Sequence, residues 1–258
     1  MKTVFALRRL AFVAAVGLLP VLLRAQAAKP VTPDVTTPTQ TTTDTGDLVV
    51  PVVKFPMLPK MGINAAAFTP AGWVLRQQAS GDLNGDGKPD LVLLFADTDP
   101  HNIVQDVDTN PYLLAIAFAN ADGSGYMLAA QNTSIPRETD TRPNPQGVID
   151  DPTCSDCTGN LKIARGAFKL IFDNTNLQPG NTNFTFRFQH NQFELIGYED
   201  SGVDGGVTYD TSWNFSTWME QDVRTPVDSD KPKTKLTKLA PKPLLTFTKI
   251  DLNNVPYY

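Results

Sequence analysis

Residues that commonly serve as nucleophiles and metal ligands are scarce in this sequence. Its 258 residues include two cysteines and two histidines. Two cysteines exclude a four-cysteine zinc site, and Cys154 and Cys157 have no zinc-type spacing from His101 or His190. The sequence also lacks a Gly-x-Ser-x-Gly elbow, a His-Glu-x-x-His pair and a phosphate-binding loop. These absences favour a non-catalytic protein.

Long apolar runs are also lacking, apart from one near the N-terminus. The run Leu10–Leu23 covers about 14 residues, whereas a helix needs roughly 20 to cross a bilayer. Lys2, Arg8 and Arg9 precede the run, and a small-x-small pattern ending at Ala27 follows it. This order is typical of a secretory signal peptide, with an uncleaved anchor as the alternative. We therefore predict a signal peptide over 1–27, a periplasmic or secreted mature chain, and no stable membrane insertion of that chain.

Positive charge is in short supply. The formal net charge at neutral pH is −5 for the whole sequence. Cleavage near Ala27 would remove four basic residues and no acidic ones, which changes the charge to −9. An acidic chain without a basic stripe is a poor ligand for nucleic acid, so we expect no nucleic-acid partner. The expected partner is an unidentified protein or glycan.

Composition divides the mature chain into three parts. Residues 28–47 are rich in Thr and Pro and have no apolar periodicity, which predicts a disordered spacer. Residues 48–223 carry strand-like patterning and are predicted to form one β-rich domain. Residues 224–258 are predicted to be a Lys/Pro-rich linker followed by a short apolar C-terminal segment at Leu244–Ile250.

Short apolar runs separated by turn residues predict an all-β fold. In the clearest run, Phe184, Phe186 and Phe188 alternate with polar residues, as on a half-buried strand. The runs Leu91–Phe95 and Leu113–Phe118 are apolar throughout, which predicts central strands covered on both faces. A buried helix is the alternative for the second run.

These patterns together predict one antiparallel sheet, meander-like and either curled or sandwich-like. At most one or two short helices are expected, one of them within Leu58–Phe68. The predicted strands are Trp73–Ala79, Leu91–Ala96, Tyr112–Ala119, Tyr126–Gln131, Phe168–Phe172, Thr182–His190, Phe193–Tyr198 and Val207–Phe215.

The most specific motif lies in the segment Gly81–Val92, where oxygen-bearing side chains occupy positions 1, 3, 5 and 9 counted from Asp82. Alternate residues of a tight loop can all point inward, and calcium takes about six to eight oxygen ligands. Gly87 permits the bend at position 6. The predicted calcium ligands are the side chains of Asp82, Asn84, Asp86 and Asp90 and the backbone carbonyl of Lys88.

This loop has two other interpretations. An EF-hand is excluded because position 12 is Leu93 instead of a bidentate Glu, and because a strand-like run follows. A metal-free turn rich in Asp, Asn and Gly is the remaining alternative.

The segment Gly81–Val92 resembles the strand–calcium loop–strand signature of FG-GAP and VCBS repeats. It occurs once, whereas a propeller of such repeats needs several copies. The resemblance implies calcium binding at this loop. More loosely, the Cys-x-x-Cys motif, the runs Phe184–Gln189 and Phe193–Tyr198, and Trp213–Phe215 are similar to a family of exported bacterial β-rich proteins with no assigned activity.

Several weaker patterns admit more than one interpretation. Cys154 and Cys157 are expected to form a local disulfide, with a redox-active dithiol as the alternative. Trp73, Trp213 and Trp218 are expected in the core, with a sugar-binding face as the alternative. Three acidic groups lack ligand or catalytic spacing. The first is interpreted as a solvated loop, although it could hold a second ion or a cationic partner, and the second is interpreted as an acidic turn. The third could pair as hydrolase carboxylates, but nothing in the sequence fixes their separation. The three groups are, in this order, Asp97, Asp99, Asp106 and Asp108; Asp200, Asp204 and Asp210; and Glu138, Asp140, Asp150 and Asp151.

The sequence therefore predicts an exported calcium-binding β-domain that acts as a non-catalytic binding or envelope-associated module. Two alternatives stay open. One is a calcium-dependent hydrolase of glycan or phosphoester, which would need a cleft between the calcium loop and the Asp97–Asp108 segment. The other is an immunity or inhibitor protein that uses its acidic face.

Overall fold

The computed structural model describes residues 50–104, 107–135, 161–173 and 180–252. The predicted signal peptide and spacer, both cysteines, Asp106 and the acidic residues between 138 and 151 lie outside these ranges. The described strands are β1 Met61–Gly62, β2 Trp73–Gly81, β3 Asp90–Asp97, β4 Ile103–Val104, β5 Val107–Asp108, β6 Tyr112–Ala119, β7 Tyr126–Asn132, β8 Leu161–Ala164, β9 Ala167–Asp173, β10 Asn181–Gln189, β11 Gln192–Asp204, β12 Val207–Asn214, β13 Met219–Pro226 and β14 Lys233–Lys238.

The strands form two main sheets, so the predicted single sheet is wrong while the all-β class is confirmed. One sheet has five strands in the order β1-β7-β6-β3-β2, and the other has seven in the order β14-β13-β12-β11-β10-β9-β8. Strands β4 and β5 pair separately. All pairings are antiparallel, and apolar residues of both main sheets share one core. Alternation shows which side of a strand is buried but not which strand it pairs with, so it does not reveal where one sheet ends.

The predicted central strands are confirmed. Every residue of β3 is buried, and β6 lies beside it in the interior of the five-stranded sheet. The second apolar run therefore forms a strand instead of the alternative helix. In the seven-stranded sheet, Phe184 and Phe186 point into the shared core, as their alternation predicts.

The outer face of the five-stranded sheet is covered by the segment that precedes β2. Phe68 is fully buried there and packs with Leu58, Leu93 and Phe95. The helix predicted in this segment is a single 3₁₀ turn at Ala65–Phe68, and a second 3₁₀ turn spans Pro100–Asn102. None of the helices among the described residues has the length and apolarity needed to cross a bilayer.

The C-terminal part is not the predicted linker. Residues 219–226 form β13, and the Lys/Thr-rich segment after it forms β14, which pairs with β13 along its length. An edge strand needs backbone partners but no apolar face, and lysines on it discourage pairing with other chains. The polar composition of this segment therefore resembles that of a linker although the segment is a strand. The chain then returns to the core, where Phe247, Ile250 and Leu252 are buried.

This returning segment ties the two sheets together. The Phe247 amide donates to the carbonyl of Phe193 on β11 at 2.8 Å. On the other side, the side-chain amide of Asn132 on β7 donates to the carbonyls of Phe247 and Ile250. The C-terminal segment is therefore an integral part of the fold.

Candidate functional site

The predicted calcium loop connects two neighbouring antiparallel strands. β2 ends at Gly81 and β3 begins at Asp90, and these two residues are partners in the register. Within the connection, Gly85 and Gly87 have φ angles of 83° and 81°. L side chains rarely adopt such angles, so the two glycines allow the bend. The predicted ligands thus lie on one loop at an end of the five-stranded sheet.

Asp82, Asn84 and Asp86 accept hydrogen bonds from backbone amides of their own loop. Asp82 accepts from the amides of Gly85 at 2.7 Å and Gly87 at 2.9 Å, one through each carboxylate oxygen. Asn84 and Asp86 each accept from the amide two residues further on, at 2.9 and 2.8 Å. Such bonds are typical of Asx turns and hold the loop in a compact form.

Asp90 differs from the other ligands because it is fully buried. Its Oδ2 accepts from the amide of Leu83 at 2.8 Å, and its Oδ1 accepts from the amide of Ala119, at the end of β6, at 2.9 Å. Burial raises the pKa of Asp90, the amide hydrogen bonds oppose that rise, and the negative charge of Asp86 adds to it. One carboxylate therefore joins the calcium loop to the β6–β7 hairpin.

Two further contacts hold the loop against the domain. Leu83, the second residue of the loop, is buried in the core between the sheets. The Lys88 ammonium donates to the carbonyl of Ala121, in the β6–β7 connection, at 2.8 Å. The loop is therefore a fixed part of the fold, attached to the neighbouring hairpin through both Lys88 and Asp90.

Negative charge in the loop is not balanced by a cationic side chain. In the part of the chain that the structure describes, Asp82, Asp86 and Asp90 form no ion pair. Lys88, the basic residue of the loop itself, has its ammonium bonded to a carbonyl instead. The negative charge of Asp86 acts on Asp90 and helps to raise its pKa, and like charges repel more strongly near protein than in water. A divalent cation would reverse this repulsion.

The donor atoms match calcium in kind. All are hard oxygens, and a carboxylate has about four lone-pair sites, so an oxygen that accepts an amide N–H can also coordinate an ion. Over the described ranges, no three Asp, Glu, His or Cys side chains are grouped as a metal site. A calcium ion at this loop would therefore also need oxygens of other kinds, namely the Asn84 amide, the Lys88 carbonyl and water.

The Asp97–Asp108 segment lies at the opposite end of β3 from the calcium loop. β3 starts at Asp90 and ends at Asp97, which separates the two by about 24 Å at 3.4 Å per residue. Asp97 accepts from the side-chain amide of Asn102, and Asp99 caps the second 3₁₀ turn. The described acids of this segment serve local turns and lie too far from the loop to line a cleft shared with it, so among the described residues no such cleft supports a calcium-dependent hydrolase.

The two histidines pair with carboxylates. His101 Nδ1 lies 2.7 Å from Asp99 on the surface, and His190 Nδ1 lies 3.3 Å from the buried carboxylate of Glu194. His190 and Asn191 both have positive φ and form the two-residue turn of the predicted β10–β11 hairpin. Within the described residues, neither histidine contacts a serine or cysteine nucleophile.

A cavity of about 580 Å³ on the seven-stranded sheet was not predicted from the sequence. Trp73 and Trp218 pack against the core as expected, whereas Trp213 both packs on the core and faces this cavity. The one sequence signal for it is the alternation of Tyr209, Thr211 and Trp213 along one strand. The cavity is lined by Asp200, Val203, Asp204, Tyr209, Thr211, Trp213, Glu220, Asp222 and Arg224.

Comparisons of the chain with protein-family models, with curated proteins and with solved structures each give no match. Function is therefore inferred from the geometry and chemistry of the chain itself.

Proposed function

We propose that this protein is an exported calcium-binding β-domain that acts by binding and not by catalysis. The observation that carries the proposal is the uncompensated charge of one loop. Asp90 is fully buried with its oxygens on backbone amides, Asp86 adds a second negative charge nearby, and no cationic side chain in the described residues pairs with either. A hard divalent cation is the ligand that such a loop favours.

The residues that would hold the ion are those that the spacing of the motif predicts. Asp82, Asn84, Asp86 and Asp90 would contribute side-chain oxygens and Lys88 its carbonyl. Calcium supplies positive charge and oxygen coordination at this loop, not a reactive group. Because three of the donors are carboxylates and no rigid helix flanks the loop, the affinity is expected in the micromolar to millimolar range, roughly 10⁻⁶–10⁻³ M.

The position of the loop supports a structural effect of the ion. Asp90 and Lys88 both bond to the β6–β7 hairpin, and Leu83 is anchored in the core between the sheets. An ion held by the loop would therefore stabilise one end of the β-domain. The predicted signal peptide would place the domain in the periplasm or outside the cell, and a protein or glycan partner stays the expected ligand of the whole module.

Thermal unfolding tests the proposal. With calcium at 100 times its dissociation constant, binding to the folded state adds about 2.7 kcal/mol, which corresponds to a rise in Tm of roughly 5–10 °C. Asp86→Ala should abolish the rise, because it removes a proposed ligand of the ion. Asp86 is exposed and contributes little to the fold without calcium, so the variant should still fold. Asp228→Ala, which removes an exposed carboxylate between β13 and β14, is the matched control and should retain the rise. A Tm that is the same with calcium and with chelator would refute the proposal.

A further inference from the structure

A second site lies on the seven-stranded sheet, on strands remote in sequence from the calcium loop. On β11, Phe193, Leu195 and Tyr198 point into the core, and Asp200 continues the same face beyond it. There the face becomes concave and forms the cavity of about 580 Å³. This volume lies in the range of small-ligand pockets, roughly 300–1,000 Å³, but the lining is mainly polar and charged where such pockets are mostly apolar, which favours a charged ligand. The geometry points to a binding site for an organic cation, an ammonium or guanidinium group such as that of a basic peptide side chain.

The cavity is built from cross-strand pairs in register. On β12 and β13, Tyr209 is opposite Arg224, and Trp213 is opposite Glu220. Asp222 lies between them on β13, at the level where Thr211 faces it from β12. Alternate residues of a strand share a face, so the aromatic and charged side chains form one surface.

One half of this surface already holds a guanidinium group. The Arg224 guanidinium carbon lies 5.1 Å from the centre of the Tyr209 ring, within the range of a cation–π contact. Its Nε donates to Asp222 at 2.8 Å, and the Thr211 hydroxyl donates to the same oxygen at 3.0 Å. The cavity wall thus binds its own cation, the Arg224 guanidinium, with an aromatic face and a carboxylate.

The other half repeats this pair without a cation. Trp213 is the aromatic residue, and indole is the ring that binds cations best. Its cross-strand partner Glu220 forms no hydrogen bond or ion pair within the described residues, and neither does Asp204 at the edge of the cavity. Lys233 and Lys235 of β14 form no ion pair with these carboxylates either.

The composition of the wall favours a cation over a neutral sugar. Four carboxylates and one guanidinium line the cavity, and Lys233 and Lys235 of β14 lie opposite Arg224 and Asp222 at its border, so negative charge still exceeds positive charge, by one. Its lining residues include no Asn or Gln, and the Thr211 hydroxyl already donates to Asp222, which leaves few neutral donors for sugar hydroxyls. Because of this charge, electrostatic attraction should contribute most to the binding of a cation, and salt should weaken it.

Titration of the full mature chain with blocked triarginine, in the presence of chelator, tests the site separately from the calcium loop. Binding should be detected by calorimetry and by a change in tryptophan fluorescence, to which Trp213 contributes, and should weaken as salt rises from about 0.01 to 0.15 M. Glu220→Gln should lower the affinity about two- to five-fold, the size expected for one exposed ion pair. Arg224→Gln should raise it, because that change removes the competing cation.

Asp210→Asn is the matched control, since Asp210 is exposed on the opposite face of β12 and should leave the affinity unchanged. Three results would overturn the proposal: no binding of triarginine, an equal loss from Asp210→Asn and Glu220→Gln, or tighter binding of neutral cellotriose that is insensitive to salt and to Glu220→Gln. Circular dichroism of each variant checks that the fold is retained. If Glu220→Gln unfolds the chain, the sign of the Arg224→Gln effect decides the question.

Discussion

Removing the buried carboxylate of Asp90 should destabilise the fold even when no metal is present. This side chain is inaccessible to solvent and accepts hydrogen bonds from the amides of Leu83 and Ala119. One amide belongs to the calcium loop and the other to the end of β6. Asp90→Ala leaves both amides without their acceptor, and it leaves a gap that the close-packed interior fills only in part.

The magnitude follows from these contacts. A buried donor that loses its partner costs about 1–3 kcal/mol, which applies in full to the Leu83 amide, while the part-buried Ala119 amide should cost less because water can reach it. Burial raises the pKa of Asp90 by disfavouring its charged form, so removal of the charge should recover part of the loss. We therefore expect Asp90→Ala to lower the free energy of unfolding by about 2–4 kcal/mol. Asp90→Asn, which keeps one acceptor oxygen, should lose about half as much.

Equilibrium unfolding in urea with chelator present is the appropriate assay, because it separates this effect from calcium binding. Asp86→Ala serves as the matched control: Asp86 is exposed and accepts from the amide of Lys88. Its loss should cost less than about 1 kcal/mol, since water replaces the missing acceptor. If Asp90→Ala and Asp86→Ala are equally stable, Asp90 is not the structural link between the two hairpins and the reasoning fails.

Two further predictions concern other parts of the fold. Burial disfavours the charge of Glu194, but hydrogen bonds from Gln189, Gln192 and His190 outweigh burial and lower its pKa. The charged side chain therefore stabilises the fold above the ordinary Glu pKa of about 4.3, and this stabilisation is lost as the pH falls below that value. Glu194→Gln should flatten the decline in Tm below that pH, and a variant with the same pH profile as the parent chain would contradict the prediction. Asn132→Ala should cost about 2–4 kcal/mol in urea unfolding, because its side chain bonds to the C-terminal segment and to the Ser134 amide; a loss under about 0.5 kcal/mol would show that this segment does not depend on the link.

Local features of the fold were predictable because short-range physics determines them. The alternation at Phe184 and Phe186 specifies a half-buried strand whatever its neighbours are. The continuous apolar run that became β3 specifies burial on both faces. The two-residue turn at His190 and Asn191 follows from hairpin geometry, and the bend at Gly87 follows from the freedom of glycine.

Features that depend on distant pairing were not predictable in the same way. β14 is a strand because β13 offers it backbone partners, and nothing in Lys233–Lys238 alone indicates this. The cavity arises because Trp213 lies opposite Glu220 across two strands. A one-residue change of register would turn that glutamate to the other face, so the site exists only once the pairing is set.

The spacing of the predicted calcium motif does not by itself separate a metal site from a metal-free turn, because it does not show what surrounds each ligand in the folded chain. Asp82 and Asp86 bind loop amides, which is what an Asx-rich turn would do without any ion. Asp90 is the residue on which the two interpretations diverge. A turn does not require a fully buried carboxylate without a cationic partner at its base, and keeping that charge out of water is costly unless something compensates for it. Its amide partners compensate in part, yet burial still raises its pKa, so a divalent cation beside it would stabilise the charged form further. The chemistry of this one position, more than the number of acidic residues in the loop, therefore favours calcium.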